Sequence, residues 1–326
     1  MSLNWGIIGL GKIARKFASD LEKVEGAQLL AVASRSEERA AAFAGEFDAS
    51  FSYGNYQEIL GCPDLDLVYV ATPHTSHHRN TIMCLEAGIP VLCEKPFAMN
   101  SGQLREMVQL ARSRELFLME AIWTRFLPHI GRMLDLIEAG TLGRVVGIKA
   151  DFGFNPPFQP ESRLYNLQLG GGCLLDIGIY PVFLALLVLG RPDRIDAMAS
   201  MGSTGVDEEC GVLFSYDGGQ MAHLHATFRA RTKTEGFIYC EEGVIHLHSR
   251  WHSPSSLSYW KYSDRPEFVS FEYDNHGYAY EAAEVGQCMK KGLLESPKLP
   301  LDFSLMLMET LDAIRKEAGI HYPDWD

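Results

Sequence analysis

Residues 4–14 read NWGIIGLGKIA, and this run decides how the first third of the chain is built. An apolar strand ends at Gly9-Leu10-Gly11-Lys12-Ile13-Ala14 and passes straight into a helical pattern. In a GxGxxA turn of this kind the first glycine permits the tight bend. The second lets a pyrophosphate approach the backbone, and the small third residue lets the helix pack close to the strand. Gly9, Gly11 and Ala14 fill those places, and Lys12 and Ile13 open the helix whose amino end would face the phosphates. Outward from the turn, apolar runs (QLLAVAS, LDLVYVAT, PVLCEK, LFLMEA) alternate with helical patterns to about residue 120. These runs are continuously apolar, which implies burial on both faces and hence a parallel sheet between helices, a doubly wound α/β domain of Rossmann type. The pattern changes at Trp123, which sets the expected domains at 1–122 and 123–326.

The end of the second strand selects the dinucleotide. A carboxylate there would bind the ribose 2′-hydroxyl of NAD. Ser34-Arg35 stands there instead, with no carboxylate before Glu37. A hydroxyl beside a guanidinium suits a 2′-phosphate, so NADP is expected, with NAD possible. Residues 91–97, VLCEKPF, put two charges at the end of another buried strand. Ligands of open α/β sheets bind at such carboxyl ends, which makes Glu94 and Lys95 candidate site residues.

After Trp123 come one helical segment, the very apolar CLLDIGIYPVFLALLVLG (173–190), and then period-two runs. The expected second domain is α+β, with a large, mostly antiparallel, open-faced sheet. In QMAHLHATF, Ala222, Leu224, Ala226 and Phe228 are expected to face helices. Met221, His223, His225 and Thr227 should face the other way, together with Val212, Phe214 and Tyr216 of the preceding run. That second face mixes apolar and amphipathic groups, as an interface does, so a homodimer or larger assembly through it is expected. The apolar segment carries one charge, Asp176, which must be paired or hydrogen-bonded. Tyr180 lies four residues on, and Pro181 must kink the helix or sit in its first turn.

Composition narrows the function. Of 326 residues, 47% are hydrophobic and 22% charged, and the net charge is -13 without a long basic run, which argues against nucleic acid. No uncharged apolar stretch reaches the roughly 18 residues of a membrane span. Seven scattered cysteines without a CxxC pair read as buried thiols in a reducing cytoplasm. The HxH pairs His223/His225 and His246/His248 have no carboxylate at ligand spacing, so no metal is expected.

GLGKIA at 9–14, VATPHTSH at 70–77, CEKP at 93–96 and GGGCLLDIGIY at 170–180 together resemble the glucose-fructose oxidoreductase, inositol dehydrogenase and MocA family over nearly the whole chain. MEAIWTRF (119–126) and TGVDEE (204–209) are most similar to its NADP-linked dihydrodiol dehydrogenase branch, which also oxidises D-xylose. The resemblance implies cofactor contacts at Thr72, Pro73, His74 and His77, although relatives usually carry Asn where His74 stands. It also implies that Lys95 reaches the nicotinamide ribose and the reacting carbon. Hydride leaves a carbinol carbon only as its hydroxyl loses a proton, so a base is needed within about 3 Å. Tyr180 and Lys95 both qualify. Tyr180 is preferred as acid/base with Lys95 as electrostatic partner, since nearby cations favour a phenolate, and Asp176 is assigned as acceptor of a substrate hydroxyl. Trp123 and Phe152, with Phe154, are expected to wall the substrate pocket. Arg125, like Arg163, is either a cofactor contact or a surface cation. The expected function is NADP-dependent oxidation of a sugar or cyclic diol. The alternative is a non-catalytic, NAD(P)-sensing regulator of the same fold, which would not need Lys95, Asp176 and Tyr180.

Overall fold

The computed structural model describes residues 2–326. In chain order the elements are β1 (Leu3–Ile8), α1 (Lys12–Leu21), β2 (Ala27–Ala33), α2 (Glu37–Glu46), β3 (Phe51–Tyr53), β4 (Leu67–Val70), α3 (His77–Glu86), β5 (Val91–Glu94), α4 (Ser101–Ser113), β6 (Leu118–Ala121) and α5 (Pro128–Glu138). Next come β7 (Val145–Gly153), a π turn (Leu174–Gly178) running into α6 (Ile179–Leu189), and six strands: β8 (Arg194–Met201), β9 (Asp207–Ser215), β10 (Met221–Thr227), β11 (Gly236–Cys240), β12 (Gly243–Leu247) and β13 (Leu257–Lys261). The chain ends with β14 (Glu267–Val269), α7 (Tyr278–Lys290) and α8 (Leu301–Ala318).

Contacts divide the chain into two compact units, residues 1–126 with 274–305, and 127–273 with 306–326. This differs from the 1–122 and 123–326 division expected from the change of pattern. Residues 274–305 group with the first unit because Asp20, near the end of α1, accepts the amides of His276, Tyr278 and Ala279. It thereby caps α7, whose own N-cap, Gly277, offers no side chain.

The first unit holds a six-stranded sheet in the order β3-β2-β1-β4-β5-β6, every pair parallel. Its strands are the continuously apolar runs of the sequence, and Ile7, Ile8, Val68, Tyr69, Val70, Leu92 and Cys93 are all fully buried. Helix starts follow the local chemistry. The Ser36 hydroxyl caps α2 through the Arg39 amide, with Glu37 and Glu38 in the first turn, and Asn100 caps α4 through the Gln103 amide. The one strand the sequence pattern does not show is β3, three half-exposed residues long.

The second unit holds an eight-stranded sheet in the order β14-β13-β12-β11-β7-β10-β9-β8, antiparallel except for β7 beside β10. The helical stretch Leu167–Leu189 is long and apolar enough to cross a membrane by length and composition, and 83% of its most apolar window is buried inside the protein. It is the core helix of this unit, and α6 packs on β7 and β10. Ala222, Leu224, Ala226 and Phe228 are buried as expected. Val212 and Phe214 do not share the open face with Met221 and His223. They pair with Leu224 and Ala222 and are buried on the helix side, while the Tyr216 hydroxyl reaches Gly190 at the end of α6. In an antiparallel pair directly opposite residues share a face, so the register places Gly211, Leu213 and Ser215 on the open side.

Candidate functional site

In the first unit the phosphate turn has the expected form. Gly9 has φ +91°, and a Cβ on it would stand 2.7 Å from the Ala71 carbonyl oxygen, so both the bend and the neighbouring chain exclude a side chain. At Gly11 a Cβ would meet no protein atom within 4 Å. Among the described residues nothing explains that glycine, whereas the close approach of a ligand does. Gly11 is the N-cap of α1, makes no side-chain cap bond, and is followed by a first turn without acidic residues, leaving the helix amino end open to an anion. The turn lies at the point where strand order reverses between β1 and β4, the place where such sheets take dinucleotides. The residues present fit that group. At the end of β2, Ser34 is buried, while Arg35 is exposed and makes no ion pair among the described residues.

Lys95 follows β5, and every neighbour in the EKPF turn is tied down. The buried Tyr69 hydroxyl donates to Glu94 Oε1, and the Lys95 amide donates to Glu94 Oε2 at 3.1 Å. Burial, and then the Glu94 carboxylate, push the Tyr69 phenol well above its ordinary range. The Lys95–Pro96 peptide is cis. His77, fully buried, sits between the Pro96 carbonyl oxygen at 2.7 Å and that of Thr72 at 2.8 Å, which links the turn after β4 to the turn after β5. Burial pushes His77 down to about 4, with Lys95 acting in the same direction. Thr72 also accepts from Asn80 through its hydroxyl at 3.1 Å. The Phe97 amide donates to Glu120 on β6 at 3.2 Å. Thr72, His74, His77, Glu94 and Lys95 therefore lie together just beyond the carboxyl ends of β4 and β5; Pro73 beside them is exposed.

Trp123 and Arg125 belong to the same unit. The Trp123 ring is buried and stacks on Tyr278, with centroids 4.5 Å apart and planes 9° from parallel. Arg125 donates from Nε to the Lys298 carbonyl at 2.8 Å, and burial lowers its pKa. Both thus contact the 274–305 segment, a partner that the sequence pattern did not suggest.

In the second unit the π turn carries Asp176 and α6 carries Tyr180, both buried. A π turn closes bonds five residues apart, so the spacing of four does not give the simple shared face of an α-helix. Pro181 is the third residue of α6, directly after the π turn, so its missing amide falls where the helical ladder is already irregular. Asp176 Oδ1 receives Arg163 Nη1 at 2.8 Å, which supplies the partner its burial demands. The sequence left Arg163 as cofactor contact or surface cation. A buried carboxylate needs a cation, and Arg163, thirteen residues upstream, is the nearest preceding one. Phe152 lies 5.7 Å from Tyr180 between ring centroids, and His252 lies 4.0 Å from Phe152 and 5.1 Å from Tyr180. His252, in the turn between β12 and β13, carries no sequence signal, since only the fold brings it to Tyr180. Phe154 lies 6.2 Å from Phe152 and packs on Phe228, 5.3 Å away.

Of the four HxH histidines, two make side-chain hydrogen bonds among the described residues. His225 pairs with Glu209 at 2.9 Å, and His248 contacts Ser256 at 2.8 Å and Ser258 at 3.0 Å.

Comparison with known proteins adds the lineage. Residues 3–122 match an oxidoreductase family with an NAD-binding Rossmann fold, and residues 130–246 match the C-terminal domain of the same GFO/IDH/MocA family. Trans-1,2-dihydrobenzene-1,2-diol dehydrogenase of Mus musculus is 36% identical over 334 residues, covering 99% of both chains, and the Homo sapiens protein of that name is 36% identical over 332. The structure of a 3-ketoreductase from Actinomadura kijaniata with NADP and TDP-benzene is similar with a TM-score of 0.87 at 26% identity over 98% of each chain. From the phosphate turn to the second sheet, the chain belongs to the GFO/IDH/MocA family of oxidoreductases.

Proposed function

We propose that this protein is an NADP-dependent dehydrogenase that oxidises a hydroxyl of a sugar or cyclic diol, or runs the reverse reduction. One observation carries the reading: a helical segment that is otherwise apolar keeps a single carboxylate, Asp176, ion-paired to Arg163, and four residues later a buried tyrosine. A sensor of the cofactor has no need of that pair. Full-length relatives named for a diol substrate, and a structural neighbour holding NADP, support the same reading. A bound nicotinamide supplies the hydride exchange. The chain's residues supply the rest: Tyr180 exchanges the hydroxyl proton, Lys95 stabilises the developing negative charge, and Asp176 accepts a hydrogen bond from the substrate. Gly9, Gly11, Lys12, Ile13, Ala14, Thr72, Pro73, His74, His77, Glu94 and Arg125 are assigned to the cofactor, with Ser34 and Arg35 at its 2′-phosphate. Trp123 and Phe152 are assigned to the pocket wall.

The proposed assembly is a homodimer or larger through the open face of the second sheet, in a reducing compartment such as the cytoplasm. The compartment is supported by seven buried thiols without a disulfide. The test of function is NADP reduction against a panel of pentoses, hexoses, inositols and cyclic diols. Turnover with at least one polyol is expected, and tight NADP binding without turnover on any of them would favour a sensor.

A further inference from the structure

The proposed chemistry leaves two motifs unexplained, the glycines at 170–172 and the aspartate of TGVDEE. A Cβ on Gly171 would stand 2.8 Å from the Leu164 carbonyl oxygen, 2.9 Å from that of Asn166 and 3.0 Å from that of Arg163. Gly172 has φ +127°, and its Cβ would overlap Asp207 Oδ1 and stand 2.8 Å from the Tyr322 hydroxyl oxygen. Asp207, fully buried at the start of β9, accepts from the Leu174 amide at 2.6 Å and the Cys173 thiol at 3.2 Å. Tyr322, fully buried beyond α8, donates its hydroxyl to the Gly171 carbonyl at 2.7 Å. Its ring lies 4.7 Å under the Arg315 guanidinium, and its amide donates to Asp326 at 2.9 Å. Segments far apart in sequence thus grip one strap of chain that ends two residues before Asp176.

We infer that Asp207 and Tyr322 are positioning residues that hold the Gly171–Leu174 strap and thereby set where Asp176 and Tyr180 stand. The inference rests on the roles proposed above for that pair. Stability alone does not explain Asp207. Its Oδ1 is buried with no hydrogen-bond partner among the described residues, and burial raises its carboxyl to about 6, both of which disfavour the ionised form in the folded state. What it holds does explain it, because a displacement of about 1 Å in reacting groups costs on the order of 100-fold in rate.

Tyr322→Phe removes one hydroxyl, and Asp207→Asn removes one charge, each with little change of shape. In the full-length protein, hydrogen–deuterium exchange of the peptide covering 170–180 should speed up by roughly tenfold or more in both variants. With any hydroxyl substrate that the wild type oxidises, kcat should fall about ten- to a hundredfold while the NADP dissociation constant stays within about twofold. Unchanged exchange in both variants overturns the inference, whether or not turnover is measurable. Faster exchange with wild-type kcat overturns it as well, as does a lower melting temperature alone, which would mark a merely structural role. A wild type that oxidises no polyol would instead sink the functional reading, and the exchange result would still decide the strap.

Discussion

The cleanest discrimination at the scale of the residue lies between the two glycines of the phosphate turn. Gly9→Ala forces a side chain against Ala71 in a left-handed backbone, so it should lower the melting temperature whether or not cofactor is present. Gly11→Ala meets no protein atom, so it should leave the apo melting temperature within about a degree and weaken NADP, read by titration calorimetry. Arg35→Ala should weaken NADP far more than NAD, because a charge-assisted hydrogen bond to the extra phosphate contributes about 1.5 to 3 kcal/mol. Equal loss for both cofactors would remove Arg35 from the phosphate. Lys95→Met and Tyr180→Phe should each lower turnover roughly 10²- to 10⁴-fold, the usual effect of a positioned acid or base. Near-wild-type steady-state rates in both would end that assignment. These residues were visible in the sequence because each breaks a local pattern: a charge at a strand end, a carboxylate in an apolar run, a glycine where a strand meets a helix. Arg163, His252, Asp207 and Tyr322 break none, since each acts through a contact that only the folded chain creates.

Periodicity carried most of the information about elements. It identified the parallel strands, the core helix and the buried side of β10, since alternation and continuous runs reflect burial directly. It misassigned Val212, Phe214 and Tyr216, because the facing of two strands depends on register, and register is a property of the pair. Burial also has a pH signature in β6. Glu120 is almost fully buried, and desolvation raises its carboxyl to about 7, against the bond from the Phe97 amide that acts the other way. The unfolded chain gives up this proton at about pH 4.3, so between there and about 7 the native state binds more protons and stability falls as pH rises. The loss is complete above about pH 7 and amounts to roughly 4 kcal/mol. Glu120→Gln keeps an acceptor for Phe97 and cannot ionise. It should be more stable than wild type at pH 8 in urea unfolding, with the gap closing by pH 4, and a gap independent of pH would refute desolvation of Glu120 as its origin.

For the molecule as a whole, the second sheet's open face sets the expected assembly. Met198 is 76% exposed and Met221 40%, with Tyr239, Leu213, His223 and Phe237 around them, too much apolar surface in one place for a face meant for water. Multi-angle light scattering at low micromolar concentration should give at least twice the 36.4 kDa of one chain, and Met198→Glu with Met221→Glu should shift that mass down. A monomeric wild type would exclude the interface. Asp20 bears on another property, the order in which the protein can be made. Its grip on residues 276–279 means that the first unit includes residues emerging after nearly all of the second. During synthesis the strands of β1 to β6 are available early, yet the cap of α7, the partner of Trp123 and the acceptor for Arg125 reach them only when about nine-tenths of the chain has left the ribosome. The nascent nucleotide-binding half must therefore wait, incomplete, while the whole large sheet is translated, and a fragment stopping at residue 126 should be a client for chaperones rather than a working domain.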